Sequence, residues 1–341
     1  MKRKRLLYVG NALSHKGITV TTIDTLSDLL RSEGYDVTVT SSRHNKILRF
    51  LEMLWSVFRF RNRVDAVLID TYSTTNYWYA VYVAQLCRIC NLAYFPILHG
   101  GNLPERLLKS RKTAQKLFNE AKMNVAPSGY LYSAFAKAGF SNITYIPNVI
   151  EIENYQFKER KKISPELLWV RSFARIYNPI MALEVLEKLL EDYPEATLCM
   201  VGPEKDGSYA ECLAFAKAKK LPVTFTGKLS KPDWIALSTK YNVFLNTTNF
   251  DNTPVSIIEA MALGVPIIST DVGGIPFLLT DNETGLLVPK AGVTECLEQI
   301  TRLLEQPELT NGISLKARVT AEGFNWQVIK IKWNELLSSK I

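Results

Sequence analysis

The sequence predicts an α/β protein of two halves, each a doubly wound parallel sheet. Three observations carry this: short apolar or β-branched runs alternate with longer helical patterns through the whole chain, the alternation lapses once near its middle, and then it restarts. At 341 residues and 47% apolar composition, the chain can bury two sizeable cores.

In the first half the predicted strands are LLYVG at 6–10, VTVT at 37–40, AVLID at 66–70, YFPIL at 94–98, and then NVAPS and ITYIP. From 148 to 165 the pattern gives way to NVIEIENYQFKERKKISP, polar and charged with a closing proline, which places a domain boundary near 155. The second half runs through LLWVR, a helix from Pro179 to Glu191, TLCMVG, VTFTG, NVFLN, a helix after Pro254, VPIIST and GLLVP. Ligands of such sheets lie beyond the carboxyl ends of the strands, so a site is expected between two Rossmann-like halves.

The opening MKRKRLLYVG has a basic cluster but only a short apolar run and no small-residue cleavage site, so it reads as a first strand rather than a signal peptide, and cytoplasmic residence is expected. No run has the length and apolarity of a spanning helix. Five thinly spread cysteines fit reduced thiols, and the Cys87/Cys90 pair has no second Cys or His pair nearby to complete a metal site. The net charge of +8 suits acidic partners such as sugar nucleotides, phosphates or anionic lipid; with no nucleic-acid fingerprint, nucleic acid ranks last.

The most informative segment is FDNTPVSIIEAMALGVPIISTDVGGIP, from Phe250 to Pro276. From Asn252 to Thr270 the only charged residue is Glu259, flanked by Ile257, Ile258, Ala260, Met261 and Ala262. A helix this apolar is buried on most of its surface, and an ionised carboxylate in it needs a partner. Thr253 is suited to cap the helix and Pro254 to its first position, leaving the N–H groups of Val255 and Ser256 at the positive end, where phosphate binds readily. Glu259 stands one turn beyond Val255 on the same face, so a diphosphate at the helix start and ribose hydroxyls at Glu259 would satisfy both.

Asp251, the seven residues that follow, Glu259, and then AMALGVP and DVGGIP resemble the signature of glycosyltransferase family 4, retaining enzymes of the GT-B fold. VGPEKDG with Gly202, FTGKLS, Ala126-Pro127-Ser128 and IPNVI extend the likeness in order and spacing. The resemblance implies an N-terminal acceptor domain over 1–155, a C-terminal nucleotide-sugar domain over 156–322, a cleft between them, and a last helix over 323–341 that crosses back to the first domain with Trp326 and Trp333 as anchors, the alternative being ordinary packing within the second domain. It further implies that Asp251 touches the transferred sugar and Glu259 the ribose. The usual first acid is Glu, so Asp251 is a departure, shorter by one methylene.

Similar proteins carry an Arg and, about five residues on, a Lys for the donor diphosphate. Here Arg171 matches the Arg, but the Lys position holds Ile176 or Tyr177, so Arg175 and Lys228 become the candidate replacements. His99, followed by Gly100 and Gly101 at a strand end, matches a His that holds the sugar. The loop GNALSHKG fits neither GxGxxG nor a Walker A loop, and the family reading puts Lys16 and Gly17 near the donor phosphates.

The implied activity is retaining transfer of a hexose from a UDP- or GDP-sugar to a hydroxyl of a glycan or lipid-linked acceptor, in surface polysaccharide or glycolipid synthesis. The implied chemistry is electrostatic, with no metal and no cofactor besides the donor itself. The rival readings are a sugar-nucleotide epimerase on the same fold and a non-catalytic sugar-nucleotide or anionic-lipid binding protein. Residues 46–63, KILRFLEMLWSVFRFRNR, plot as an amphipathic helix with Ile47, Phe50, Leu51, Leu54 and Phe58 on one face and Arg49, Glu52, Ser56, Arg59 and Arg63 on the other. Such a helix either packs on the sheet or lies on an anionic leaflet, the latter placing the protein peripherally on the cytoplasmic face of the inner membrane.

Overall fold

The structure, a computed structural model, describes residues 4–12 and 21–338. Lys16 and Gly17 therefore lie outside the described residues. The chain divides into two compact units, one formed by 1–148 with 326–341 and the other by 149–325.

The first unit holds one six-stranded sheet built from β1 (Arg5–Val9), β2 (Asp36–Thr40), β3 (Ala66–Thr71), β4 (Tyr94–Leu98), β5 (Asn124–Ala126) and β6 (Ile143–Tyr145). The order is β2-β1-β3-β4-β5-β6 and every pairing is parallel. β3 and β4 are buried along their whole length, as strands covered on both faces require. The last helix, Trp326–Ser338, belongs to this unit. Trp326 and Trp333 are buried there; Trp326 donates its indole N–H to Glu33 at 3.2 Å, and Tyr35 donates to Asn334 at 2.9 Å.

The second unit holds β7 (Glu166–Val170), β8 (Thr197–Val201), β9 (Val223–Gly227), β10 (Val243–Asn246), β11 (Ile267–Thr270) and β12 (Leu286–Val288), all parallel, in the order β12-β11-β10-β7-β8-β9. Successive side chains of β7 feed opposite layers, the consequence of a two-residue strand period. Leu167 and Trp169 join the core under the helix Pro179–Asp192, while Leu168 joins Ile257, Ile258 and Met261 of the helix Val255–Leu263.

The passage between units falls at 148/149 rather than at 155. Ile150, Ile152 and Tyr155 are buried in the second unit's core, and the Ile150 N–H donates to the Phe324 carbonyl at 3.0 Å. The polar lapse in the sequence thus begins the second unit instead of standing between the two. No helix among the described residues is long and apolar enough to cross a membrane. All five cysteines are free, and burial pushes the Cys87 thiol up to about 12.

Candidate active site

In the second unit the chain winds outward in both directions from β7: β8 and β9 lie to one side, β10, β11 and β12 to the other. The strand order thus reverses between β7 and β10, and the carboxyl ends of two such strands are where open α/β sheets bind their ligands. Arg171 follows β7 directly, and the segment 247–254 follows β10 and leads into the helix Val255–Leu263.

The two loops are tied together. Thr247 accepts from the Trp169 indole at 3.0 Å and its hydroxyl lies 2.8 Å from the Asn178 carbonyl; the Asn249 N–H donates to Ile176 at 2.7 Å, and its side-chain amide to Arg175 at 3.0 Å. Arg171 pairs with Asp251, both side chains mostly buried, and its guanidinium lies 4.1 Å from the centre of the Tyr177 ring. The Arg171 Nε is buried without a hydrogen-bond partner. Gly202 packs against this strand end: a Cβ there would fall 1.7 Å from the Arg171 carbonyl oxygen, so no larger residue fits without moving the arginine's backbone.

The helix begins one residue later than the sequence suggested. Pro254, not Thr253, is the N-cap; its ψ of 115° keeps it extended, and its carbonyl accepts from Ile257 at 3.1 Å. Proline fixes φ but leaves ψ free, which is why position N1 did not follow from its presence. No side chain caps the helix. Val255 is exposed, and the Ser256 hydroxyl is buried with no partner. The result is a helix start with no side-chain cap, reached by the loop whose Asp251 pairs with Arg171, and a helix start of this kind favours an anion.

Glu259 is 5% exposed on the same helix. Its carboxylate has the partner the sequence called for, but within the protein rather than in a ligand's ribose. Oε1 accepts from the Tyr155 hydroxyl at 2.7 Å and lies 2.8 Å from the Lys231 ammonium, whose side chain is 56% exposed. Burial and the Glu259 charge raise the Tyr155 phenol well above its ordinary value. The carboxylate's burial is thus compensated within the protein, and a ligand is not needed to explain it. A pocket of about 700 Å³ opens beside Lys231, lined by Phe157, Lys158, Pro232, Ile235 and Leu263 among others.

The candidate replacements for the missing lysine separate. Arg175 is solvent-exposed and bonded to Glu211 at 2.6 Å, and its charge is raised in pKa first by that bond. A surface carboxylate 36 positions on occupies it, which no local pattern foretold. Lys228 is exposed, one residue past β9.

In the first unit the order reverses at β1, with β2 on one side and β3 on the other. Near the carboxyl end of β3, Asp70 is 5% exposed; its Oδ1 lies 2.7 Å from His99 Nε2 and accepts from the Tyr8 hydroxyl at 2.9 Å. Asp70 Oδ2 is buried without a partner, and Gly10 backs it so closely that a Cβ would lie 2.3 Å away. Tyr72 stacks on the His99 ring at 5.1 Å, and burial, then the Asp70 charge, raises its phenol. Gly100 packs on the chain itself, since a Cβ there would meet the Ser73 nitrogen at 2.7 Å; its smallness serves this contact rather than a ligand's approach.

Sequence reasoning missed Asp70, Tyr8, Tyr72, Tyr155 and Lys231. Asp70 had a signal: it ends the apolar run AVLID, an isolated acid of the same kind as Glu259. Tyr155 had none, standing 104 positions from the carboxylate it serves.

Residues 151–320 match the family model described as glycosyl transferases group 1. The chain is 28% identical over 164 residues to sulfoquinovosyl transferase SQD2 of Arabidopsis thaliana, covering 47% of this chain and 31% of that protein. It is 26% identical over 174 residues to D-inositol 3-phosphate glycosyltransferase of Kribbella flavida, covering 48% and 40%. The matches span less than half the length of these relatives. In fold, the whole chain is similar to sucrose-phosphate synthase from Thermosynechococcus elongatus, with a TM-score of 0.79 at 16% identity over 98% of both chains. It is likewise similar to HepE of Anabaena solved with UDP and glucose, with a TM-score of 0.75 at 19% identity over 99% of this chain and 100% of that one. The fold is the GT-B fold, two parallel six-stranded sheets flanked by helices.

Proposed function

The segment 151–320 belongs to the glycosyl transferases group 1, and from that premise we propose that the protein is a retaining, family 4-like hexosyltransferase. It takes a nucleotide diphosphate sugar as donor and a hydroxyl of a glycan or lipid-linked molecule as acceptor. The observation that carries this reading is the Arg171–Asp251 pair joining the ends of β7 and β10, where the strand order of the second sheet reverses, with an uncapped helix start four residues on from Asp251. The HepE structure, of similar fold, was solved with UDP and glucose, which fits a nucleotide diphosphate sugar, UDP- or GDP-linked, as donor.

In this reading the second unit holds the donor and the first the acceptor. The diphosphate sits on the N–H groups of Val255 and Ser256 with the Ser256 hydroxyl, and Arg171 supplies the cation. Glu259 takes the ribose, with Tyr155 and Lys231 holding its carboxylate in place. Asp251 both orients Arg171 and faces the sugar, while Asp70 fixes His99 for sugar contact. As the anomeric carbon–oxygen bond breaks, the electron pair leaves with the diphosphate, whose growing charge the arginine and helix dipole stabilise. The acceptor hydroxyl forms the new bond on the same face, and its proton passes to the departing phosphate oxygen. Positioning and preorganised charge do the rest, with no protein nucleophile.

The test is a panel of UDP- and GDP-sugars measured for binding and slow hydrolysis, repeated with Glu259→Ala. One donor should bind and turn over, and the substitution should abolish binding while the circular dichroism spectrum stays native. Unchanged affinity for every donor would overturn the assignment, and isomerised donor without transfer to an added acceptor would point to an epimerase.

A further inference from the structure

The helix Lys46–Phe60 inverts the usual arrangement of a surface helix. Its buried residues are Arg49, Met53, Ser56 and Val57. Facing solvent instead are Ile47 (70% exposed), Leu48 (54%), Leu51 (54%), Trp55 (55%) and Phe58 (53%). With about 3.6 residues per turn these five fall on one stripe, opposite the buried face. The sequence left two readings for this helix, and packing of its apolar face on the sheet is not the one that forms. Arg49 and Ser56, expected outward, point inward, and the Ser56 hydroxyl bonds to that of Thr40 at 3.2 Å.

The stripe continues onto the neighbouring helix Asn76–Ile89. Phe50 stacks on Tyr79 at 5.4 Å and meets Tyr82 edge-on at 5.6 Å; Tyr82 and Trp78 are themselves exposed and 6.5 Å apart. Water-facing apolar groups in such number on one face mark an interaction surface.

Its charge says what kind. Arg43, Lys46, Arg59, Arg61 and Arg63 stand outside against one carboxylate, Glu52, which Arg43 and Ser41 already engage. Arg59 lies 4.7 Å over the Trp55 ring and Arg61 4.1 Å over Phe58, each cation stacked on an aromatic of the stripe. A second copy of the same face would bring these like charges together, which disfavours self-association. An anionic lipid surface offers the complement of both features: acyl chains for the stripe and headgroup charge for the arginines, with Trp and Tyr at the boundary.

We infer that this face seats the protein on an anionic leaflet, with the helix Lys46–Phe60 lying in the interfacial plane. The inference goes beyond the proposed transfer reaction and does not depend on it. The experiment is flotation of the full chain with vesicles of phosphatidylcholine, with and without phosphatidylglycerol. Binding to the phosphatidylglycerol vesicles should be at least about tenfold tighter and weaken with salt. Replacing Leu51, Trp55 and Phe58 together by Ser should remove at least about 90% of binding with the melting temperature unchanged, since all three are exposed. Replacing Arg59, Arg61 and Arg63 by Gln should weaken it roughly fivefold per charge. Absence of binding to either vesicle, or a serine variant that binds as well as the parent, overturns the inference. So does self-association in analytical ultracentrifugation that the serine variant abolishes, which would assign the face to a second copy.

Discussion

Arg171 and Asp251, 80 positions apart, form an ion pair where β7 and β10 end. One neutralises the other before any ligand arrives, so an incoming diphosphate must share the arginine with a carboxylate. Replacing Arg171 by Ala leaves that carboxylate mostly buried and uncompensated. Unfolding in urea should show a loss of about 2 kcal/mol, between the values for surface and fully buried pairs. Asp251→Glu, which restores the acid usual in similar proteins, should keep the pair and most of the stability.

Tyr155 holds Glu259 through a buried hydroxyl–carboxylate bond. Tyr155→Phe should cost about 1–3 kcal/mol in denaturant unfolding, because the acceptor is charged and buried. Lys231→Ala removes a mostly exposed cation and should cost less than about 1 kcal/mol. Equal effects from both would contradict the burial difference.

Gly10→Ala drives a methyl group to within 2.3 Å of the Asp70 carboxylate. The carboxylate must move, and with it the His99 it holds. Turnover of donor should fall at least tenfold, while an alanine at Gly139, where nothing lies within 4 Å but φ is +93°, should cost about 1 kcal/mol in stability and leave turnover alone.

Three phenols, the buried Tyr8 and Tyr155 and the partly buried Tyr72, are raised above 10.0 in the folded protein, mainly by burial and then by a neighbouring carboxylate. A folded value above the unfolded one contributes stability that is complete below pH 10.0 and lost as pH rises toward the folded values. The urea midpoint should therefore fall above that pH. Tyr155→Phe should flatten the decline; an unchanged slope would remove Tyr155 from the account.

The sheets were legible because strands buried on both faces leave continuous apolar runs such as AVLID and LLWV. Glu259 was legible for the converse reason, as the one charge in an apolar helix. What the sequence hid was pairing across distance. Nothing near Glu259 announces Tyr155, and nothing near Arg175 announces Glu211. The orientation of the helix Lys46–Phe60 was hidden too. Its periodicity separates an apolar face from a more polar one, and it was the latter, carrying Met53 and Val57 among Arg49 and Ser56, that turned inward. Met53 and Val57 took the core, leaving the larger aromatics outside.

The helix Trp326–Ser338 completes a unit whose other residues end at Asn148. During synthesis, the 149–325 stretch has all its own strands in hand while the earlier unit still waits for its closing helix. Loss of that helix would strip cover from Glu33 and Tyr35, near the start of the chain, and leave the later sheet with every strand it needs.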